Sequence, residues 1–195
     1  MKLIIASNNA HKLSEMKAIL APFFDDVQSM REAGIEHETV EDGKTFMENA
    51  RKKARELAEI SGCCAIADDS GLCVDALGGA PGIFSARYSG AHGDDKANNL
   101  KLLRALEGER DRKAHYTCAI ALCWPDGREL TAEDYLYGEI AYDERGTNGF
   151  GYDPLFLLPD RGLRTAEISA EEKNAISHRG KALRQLVKKL EALEA

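Results

Sequence analysis

No stretch of this sequence is long and apolar enough to span a bilayer, and it contains no repeat, low-complexity tract or linker-like run. The apolar start, Leu3 to Ala6, turns polar at Ser7 and is too short for a signal peptide. Basic residues are outnumbered, 26 Lys and Arg against 33 Asp and Glu, for a formal charge of −7. That balance gives no diffuse attraction to a nucleic-acid backbone, so a polyanionic ligand must meet local cations, a helix N-terminus or a metal. The cysteines Cys63, Cys64, Cys73, Cys118 and Cys123 are odd in number and form no C-x-x-C. Neither a disulfide framework nor a zinc site is expected. Buried thiols in a reducing, cytoplasmic setting are. The five histidines offer no metal-binding pair at helical spacing. What remains is a chain of 195 residues, 44% apolar and 30% charged, expected to form a single domain over 1–195 with neither nucleic acid nor membrane as partner.

Along the chain, Leu3 to Ala6 reads as a buried strand, followed by a polar loop Ser7-Asn8-Asn9-Ala10-His11-Lys12 and a helix carrying Leu13, Met16 and Leu20. Thr45 and Glu48 form a T-x-x-E capping box opening a helix to about Ile60. Two short strands, 65–67 and 72–74, flank a predicted turn at Asp68-Asp69-Ser70-Gly71, and a helix carries Leu100, Leu103 and Leu106. His115 to Trp124 alternates as a strand, and Pro125-Asp126-Gly127 turns it into a second strand near 129–137. A glycine-rich loop over 146–151, an apolar run at 155–158, a capping box at Ser169 and Glu172, and a last helix with Leu183, Leu186, Leu190 and Leu193 complete the pattern. The fold class is α/β, with a mixed β-sheet flanked by helices.

Four segments carry chemistry. The first loop precedes a helix N-terminus, where backbone N–H groups and Lys12 favour an anion, although Ser and Asn are also ordinary caps there. It is not a Walker A loop, lacking the glycines and the G-K-[ST] ending. Taking roughly 100° per residue, Lys53, Ala50, Leu57 and Ile60 all fall within roughly 40° of Phe46 on a helical wheel, so the lysine is centred on the apolar face with Asn49 one turn before it. It is either a lysine that snorkels to the rim or a cation aimed at a phosphate. Asp68 and Asp69 place two carboxylates side by side, which repel unless a cation or proton intervenes. Oxygen-only donors suit Mg²⁺, and Glu41 or Glu48 could add a carboxylate. Phe150 lies among glycines that let a backbone approach a ligand closely, so it can stack on a base, while Tyr152 reads better as a core residue. His178-Arg179 forms a polar junction before the last helix.

Taken together, these segments resemble the inosine triphosphate pyrophosphatase family, which removes non-standard purine nucleotides. The likeness rests on Ser7-Asn8-Asn9-Ala10-His11-Lys12, Glu41-x-Gly43-x-Thr45-Phe46-x-Glu48-Asn49-Ala50, Asp68-Asp69-Ser70-Gly71-Leu72, Gly79-Ala80-Pro81-Gly82, Gly149-Phe150-Gly151-Tyr152-Asp153-Pro154 and Ser177-His178-Arg179-Gly180. It covers essentially the whole chain, with His11 standing where many relatives have Gly. The resemblance implies two lobes around a central cleft, a homodimer, and hydrolysis of ITP, dITP or XTP to the monophosphate and pyrophosphate with Mg²⁺. It assigns Asp69 as general base, and Asp69, Glu41 and Asp68 to the metal. Substrate would be held by Ser7, Asn8, Asn9, Ala10, His11, Lys12, Lys53 and Ser70 at the phosphates. Phe150, Gly151, Tyr152, Asp153, Lys173, His178 and Arg179 would hold the nucleoside, with donors near His178-Arg179 meeting a 6-oxo group that adenine lacks. A pyrophosphatase for another modified nucleotide and a nucleotide-binding regulator without catalysis are the competing readings.

Overall fold

The computed structural model describes residues 1–194, with the side chains of His11 and Glu194 excepted. Seven strands form one sheet: β1 (Lys2–Ile5), β2 (Asp26–Ser29), β3 (Cys64–Val74), β4 (Lys113–Cys123), β5 (Glu129–Ile140), β6 (Phe156–Leu158) and β7 (Leu163–Arg164). They pair in the order β2-β1-β3-β4-β5-β6-β7. β1 runs parallel to both β2 and β3, whereas β6 is antiparallel to β5 and β7, so the sheet is mixed as expected. The helices are α1 (Ala10–Leu20), α2 (Phe46–Ser61), α3 (Asp95–Ala105), α4 (Ala170–Ile176) and α5 (His178–Glu194). By internal contacts the chain divides into two units, each built from non-contiguous segments.

The first unit comprises Met1–Asp69, Cys118–Asp134 and Arg179–Ala195. Strand side chains alternate between faces, and here the two faces have different fillings. Leu3, Ile5, Cys64, Ile66, Cys118, Ile120 and Leu122 pack with Met16 and Leu20 of α1 and Leu183, Leu186 and Leu190 of α5. Their neighbours Ile4, Ala65, Ala67, Ala119, Ala121 and Cys123 pack with Ala50, Ala54, Leu57 and Ala58 of α2. One face is dominated by Leu, Ile and Met, the other by alanine, which lets the α2 backbone lie close to the strands.

The second unit comprises Ser70–Thr117 and Tyr135–His178. Its core gathers Leu72 and Val74 of β3, Leu102 of α3, Tyr116 of β4, Leu136 and Ile140 of β5, and Tyr152, Leu155 and Phe156. Arg112 is buried and satisfied by carbonyls, its Nε, Nη1 and Nη2 donating to Ile140, Leu106 and Ala141 at 2.8, 2.9 and 2.9 Å.

Several expectations need correction. The turn at Asp68-Asp69-Ser70-Gly71 does not form, and β3 runs unbroken from Cys64 to Val74. β1 pairs with β3 as far as Ile66, and the segment continues a strand already set in the sheet, which outweighs a local turn preference. α1 begins at Ala10, so Ala10, His11 and Lys12 form its first turn and the loop is only Ser7 to Asn9. β2 and β7 were not foreseen, being too short for an alternating pattern to register. The box at α2 is half made: Thr45 Oγ1 accepts from the Glu48 N–H at 3.1 Å, but the Glu48 carboxylate takes the N–H of Lys44 at 2.6 Å. The box at Ser169 and Glu172 is complete.

Candidate active site

The continuous β3 determines how the two carboxylates are used. Cys64 and Ile66 belong to the α1/α5 face and Ala65 and Ala67 to the α2 face. By the same alternation Asp68 follows the first pair and Asp69 the second. Adjacent in sequence, they point to opposite sides of the sheet.

On the α1/α5 side, Asp68 Oδ2 accepts from Lys12 Nζ at 2.9 Å and from Arg179 Nε at 3.3 Å. Arg179 Nη1 also donates to Glu15 at 3.2 Å. The cluster is buried except at Lys12, with side-chain exposures of 1% for Asp68, 6% for Arg179, 8% for Glu15 and 18% for Lys12. Burial alone would raise the Asp68 pKa, but the charges of Lys12, Arg179 and Lys53 together hold it well below the ordinary carboxylate range. Arg179 is likewise pushed above its ordinary value, its burial being outweighed by Asp68 and Glu15.

On the α2 side, Asp69 Oδ2 accepts from Asn49 Nδ2 at 3.0 Å, and Asp69 Oδ1 lies 3.5 Å from Lys53 Nζ. Lys53 Nζ also donates to Glu41 Oε1 at 2.7 Å. Burial dominates at Asp69 and raises its pKa, with Glu41 adding to the rise against the opposing pull of Lys53 and the Asn49 amide. Lys53 itself is pulled down by burial and pushed up by Asp69, Asp68 and Glu41, the net result being a rise. Lys53 does not snorkel to the rim: its side chain is 14% exposed and meets two carboxylates.

The Glu41 segment has no regular secondary structure and is fastened to α2 by successive side chains. Lys52 binds Asp42 at 2.7 Å, and Asn49 Oδ1 accepts from the Gly43 N–H at 2.8 Å. Glu56 accepts from Thr39 at 2.7 Å and meets His37 at 2.8 Å. Glu41 and Asp69 thus share one ammonium, so the space between them already accommodates a cationic charge. Two hard oxygen donors match Mg²⁺, which commonly uses one or two carboxylates and completes its shell with water and phosphate. Among the described residues no group of three His, Cys, Asp or Glu side chains is arranged to hold a metal. Asp68 is not brought together with Glu41 and Asp69, because it faces the other way.

Of the phosphate-loop residues, Ser7 is half-buried and Asn8, Asn9 and Ala10 are exposed. Ser7 Oγ accepts from the Asn9 N–H at 3.2 Å and Asn9 Oδ1 from the Lys12 N–H at 3.2 Å. The expectation for His11 concerns a side chain outside the described set.

The nucleoside residues of the second unit gather around Asp153, which is buried. Its Oδ2 accepts from the Phe150 N–H at 2.8 Å and pairs with Lys173, and its Oδ1 accepts from Thr165 at 2.9 Å. Lys173 Nζ stands 4.8 Å from the centre of the Phe150 ring. Gly149 holds a φ of +76°, and a β-carbon there would strike the Asp153 carboxylate. Gly151 donates to Asp95 at 2.7 Å, and its carbonyl accepts from Asn99 at 3.2 Å. Tyr152 is a core residue whose hydroxyl donates to the Ser85 carbonyl at 2.8 Å. His178 lies stacked on Tyr116, the ring centres 4.9 Å apart and the planes 11° from parallel. Ser70, half-buried, follows Asp69 on β3.

Sequence reasoning missed Glu15, Tyr116 and Thr165. Nothing local distinguishes a glutamate on α1 from a solvated one, and Tyr116 reads only as an inward strand residue.

A polar strand centre with carboxylates on both faces, each met by cations from helices, belongs to a recognisable class of protein. The Ham1 family matches residues 3–189, and the chain belongs to it. Among its relatives, the dITP/XTP pyrophosphatase of Streptomyces avermitilis is 53% identical over 95% of both chains, and that of Clostridium perfringens 48% identical over 98% of both. The Ham1 protein structure from Staphylococcus aureus superposes with a TM-score of 0.91 at 41% identity, covering 98% of this chain and 99% of that one. A HAM1 protein from Coxiella burnetii gives 0.90 at 42% identity with full coverage of both.

Proposed function

We propose that this chain is a pyrophosphatase hydrolysing non-standard purine nucleoside triphosphates, ITP, dITP and XTP, to the monophosphate and pyrophosphate, which keeps them out of DNA and RNA. The observation that carries the reading is the setting of Asp69: a buried carboxylate with a raised pKa, oriented by an amide and flanked by Lys53 and Glu41. A raised pKa makes this aspartate a better proton acceptor near neutral pH than an ordinary one.

Asp69 takes a proton from the water that attacks the α-phosphorus, and pyrophosphate departs in line. Lys12 and Lys53 receive the negative charge that develops on the leaving group. Glu41 and Asp69 are the residues that would hold Mg²⁺, with Asp68 as support. When bound, the ion neutralises phosphate oxygens and makes water more acidic. The base end of the substrate is assigned by family likeness to Phe150, Asp153, Lys173, His178 and Arg179. Donors there satisfy a 6-oxo group and would be left unpaired by adenine.

The same likeness assigns a homodimer. A cytoplasmic setting is supported by five free cysteines; in addition, no helix among the described residues is long and apolar enough to cross a membrane.

The test is a panel of triphosphates assayed with and without Mg²⁺, identifying the phosphate released. Pyrophosphate from ITP and XTP, at least about 10²-fold faster than from ATP and only with the metal, is expected. Release of orthophosphate, or equal rates on ATP, sinks the reading.

A further inference from the structure

Asn49 has no solvent exposure and lies on α2 one turn before Lys53. A buried carboxamide is costly unless both ends are paired, and here both are. Its Nδ2 donates to Asp69 Oδ2 at 3.0 Å and its Oδ1 accepts from the Gly43 N–H at 2.8 Å. The amide orientation follows from its partners, because a flip would set NH₂ against an N–H and a carbonyl against a carboxylate.

Those partners are Asp69 itself and a backbone group two residues from Glu41. One side chain therefore ties the segment that presents Glu41 to the carboxyl group of Asp69. Gly43 is fitted to this contact: a β-carbon there would lie 2.5 Å from Asn49 Oδ1 and 2.9 Å from Glu48 Cβ.

We infer that Asn49 is a positioning residue for the pyrophosphatase reaction. It holds Asp69 by Oδ2, presents Oδ1 on the side of Lys53 and the attacking water, and sets the spacing of Asp69 from Glu41 through Gly43. The inference rests on the reading of Asp69 as general base. Small misplacements of a reacting group cost on the order of 10²-fold in rate.

Asn49→Asp separates the two bonds. It keeps shape and can still accept from Gly43, but once ionised it has no donor for Asp69, so the assay is run at a pH where the variant's carboxyl is ionised. At saturating Mg²⁺ and ITP, kcat is expected to fall about 10²-fold with KM changed less than about 3-fold. Asn49→Ala should lose as much. Gly43→Ala, which displaces the amide without removing it, should show the same split and cost less in the Asn49→Ala background than in the wild type, the remainder coming from its contact with Glu48. If Asn49→Asp does not fold, the Gly43→Ala series carries the test.

Wild-type kcat in folded Asn49→Asp would overturn the inference, as would a loss confined to KM or one matched by the unfolded fraction in circular dichroism. Asp69→Asn run alongside separates the two ideas. If it is inactive while Asn49→Asp is normal, only the positioning role fails. If Asp69→Asn is active, the base assignment fails first.

Discussion

On the face of β3 covered by α1 and α5, Asp68 meets two cations in a buried cluster. On the face covered by α2, Asp69 meets an amide and a lysine shared with Glu41. The first environment depresses the pKa and the second raises it. Consecutive residues of a strand thereby acquire opposite chemistry with no turn or insertion between them. Pairs of carboxylates driven apart in this way commonly divide roles, one staying ionised and the other exchanging protons. The packing follows the same division. Large aliphatic side chains fill the Asp68 face, while alanines bring α2, with Asn49 and Lys53, close to Asp69.

The largest effect should separate the faces by activity. Asp69→Asn is expected to lower kcat for ITP by about 10³-fold with nucleotide binding retained, measured by pyrophosphate release and calorimetry. Less than tenfold loss would remove Asp69 as the proton acceptor. Asp68→Asn should instead act on stability. It leaves Arg179 and Lys12 without the anion they share, a disruption that costs about 3 kcal/mol when an ion cluster is this deeply buried.

Urea unfolding across pH checks the sign. A depressed pKa gives Asp68 a contribution that is present above the unfolded value near ~3.9 and lost as the pH falls through the folded value. In metal-free protein Asp69 behaves oppositely. Its raised pKa favours the fold at low pH, an advantage lost as the pH rises through the folded value, so Asp69→Asn should not lower the urea midpoint at pH 7. Equal destabilisation by both substitutions would erase the distinction between the faces.

Packing offers a smaller lever. Ala54, fully buried, lies in the layer that sets the distance of α2 from the sheet. Ala54→Leu should cost about 2 kcal/mol by overpacking. Because it displaces the helix carrying Asn49 and Lys53, kcat should fall too. A stability loss with unchanged kcat would mean that the spacing of α2 does not govern Asp69.

Much of this was legible in the chain. Helix caps, the leucine spacing of α5 and the hairpin at Asp126-Gly127 are local signals, and all of them formed. Lys53 betrayed itself by standing in an apolar stripe. The two-sidedness of Asp68 and Asp69 was not legible, because Asp-Asp-Ser-Gly carries every mark of a turn. What keeps it extended is its place in a strand already set in the sheet upstream by β1, which lies far away in sequence. Glu15 stayed hidden for a related reason. Its partner Arg179 is 164 residues distant, and no periodicity links them.

The mildest probe concerns thiols. Cys118 lies on the Asp68 face, and burial first, then the Asp68 charge, push it above its ordinary pKa. Burial also raises Cys64 to about 12 and Cys123 to about 11. Alkylation proceeds through the thiolate and needs access, so Cys63, which is partly exposed, should label first at pH 8. Cys118 should react at least about 10²-fold more slowly, until denaturant is added. Since burial is the larger cause, Asp68→Asn should not release it in folded protein. Rapid labelling of Cys118 in the native state would mean that water reaches the cluster of Lys12, Asp68 and Arg179. Burial would then oppose ionisation of Asp68 only weakly, and its contrast with the buried Asp69 would include a difference in desolvation as well as in charge.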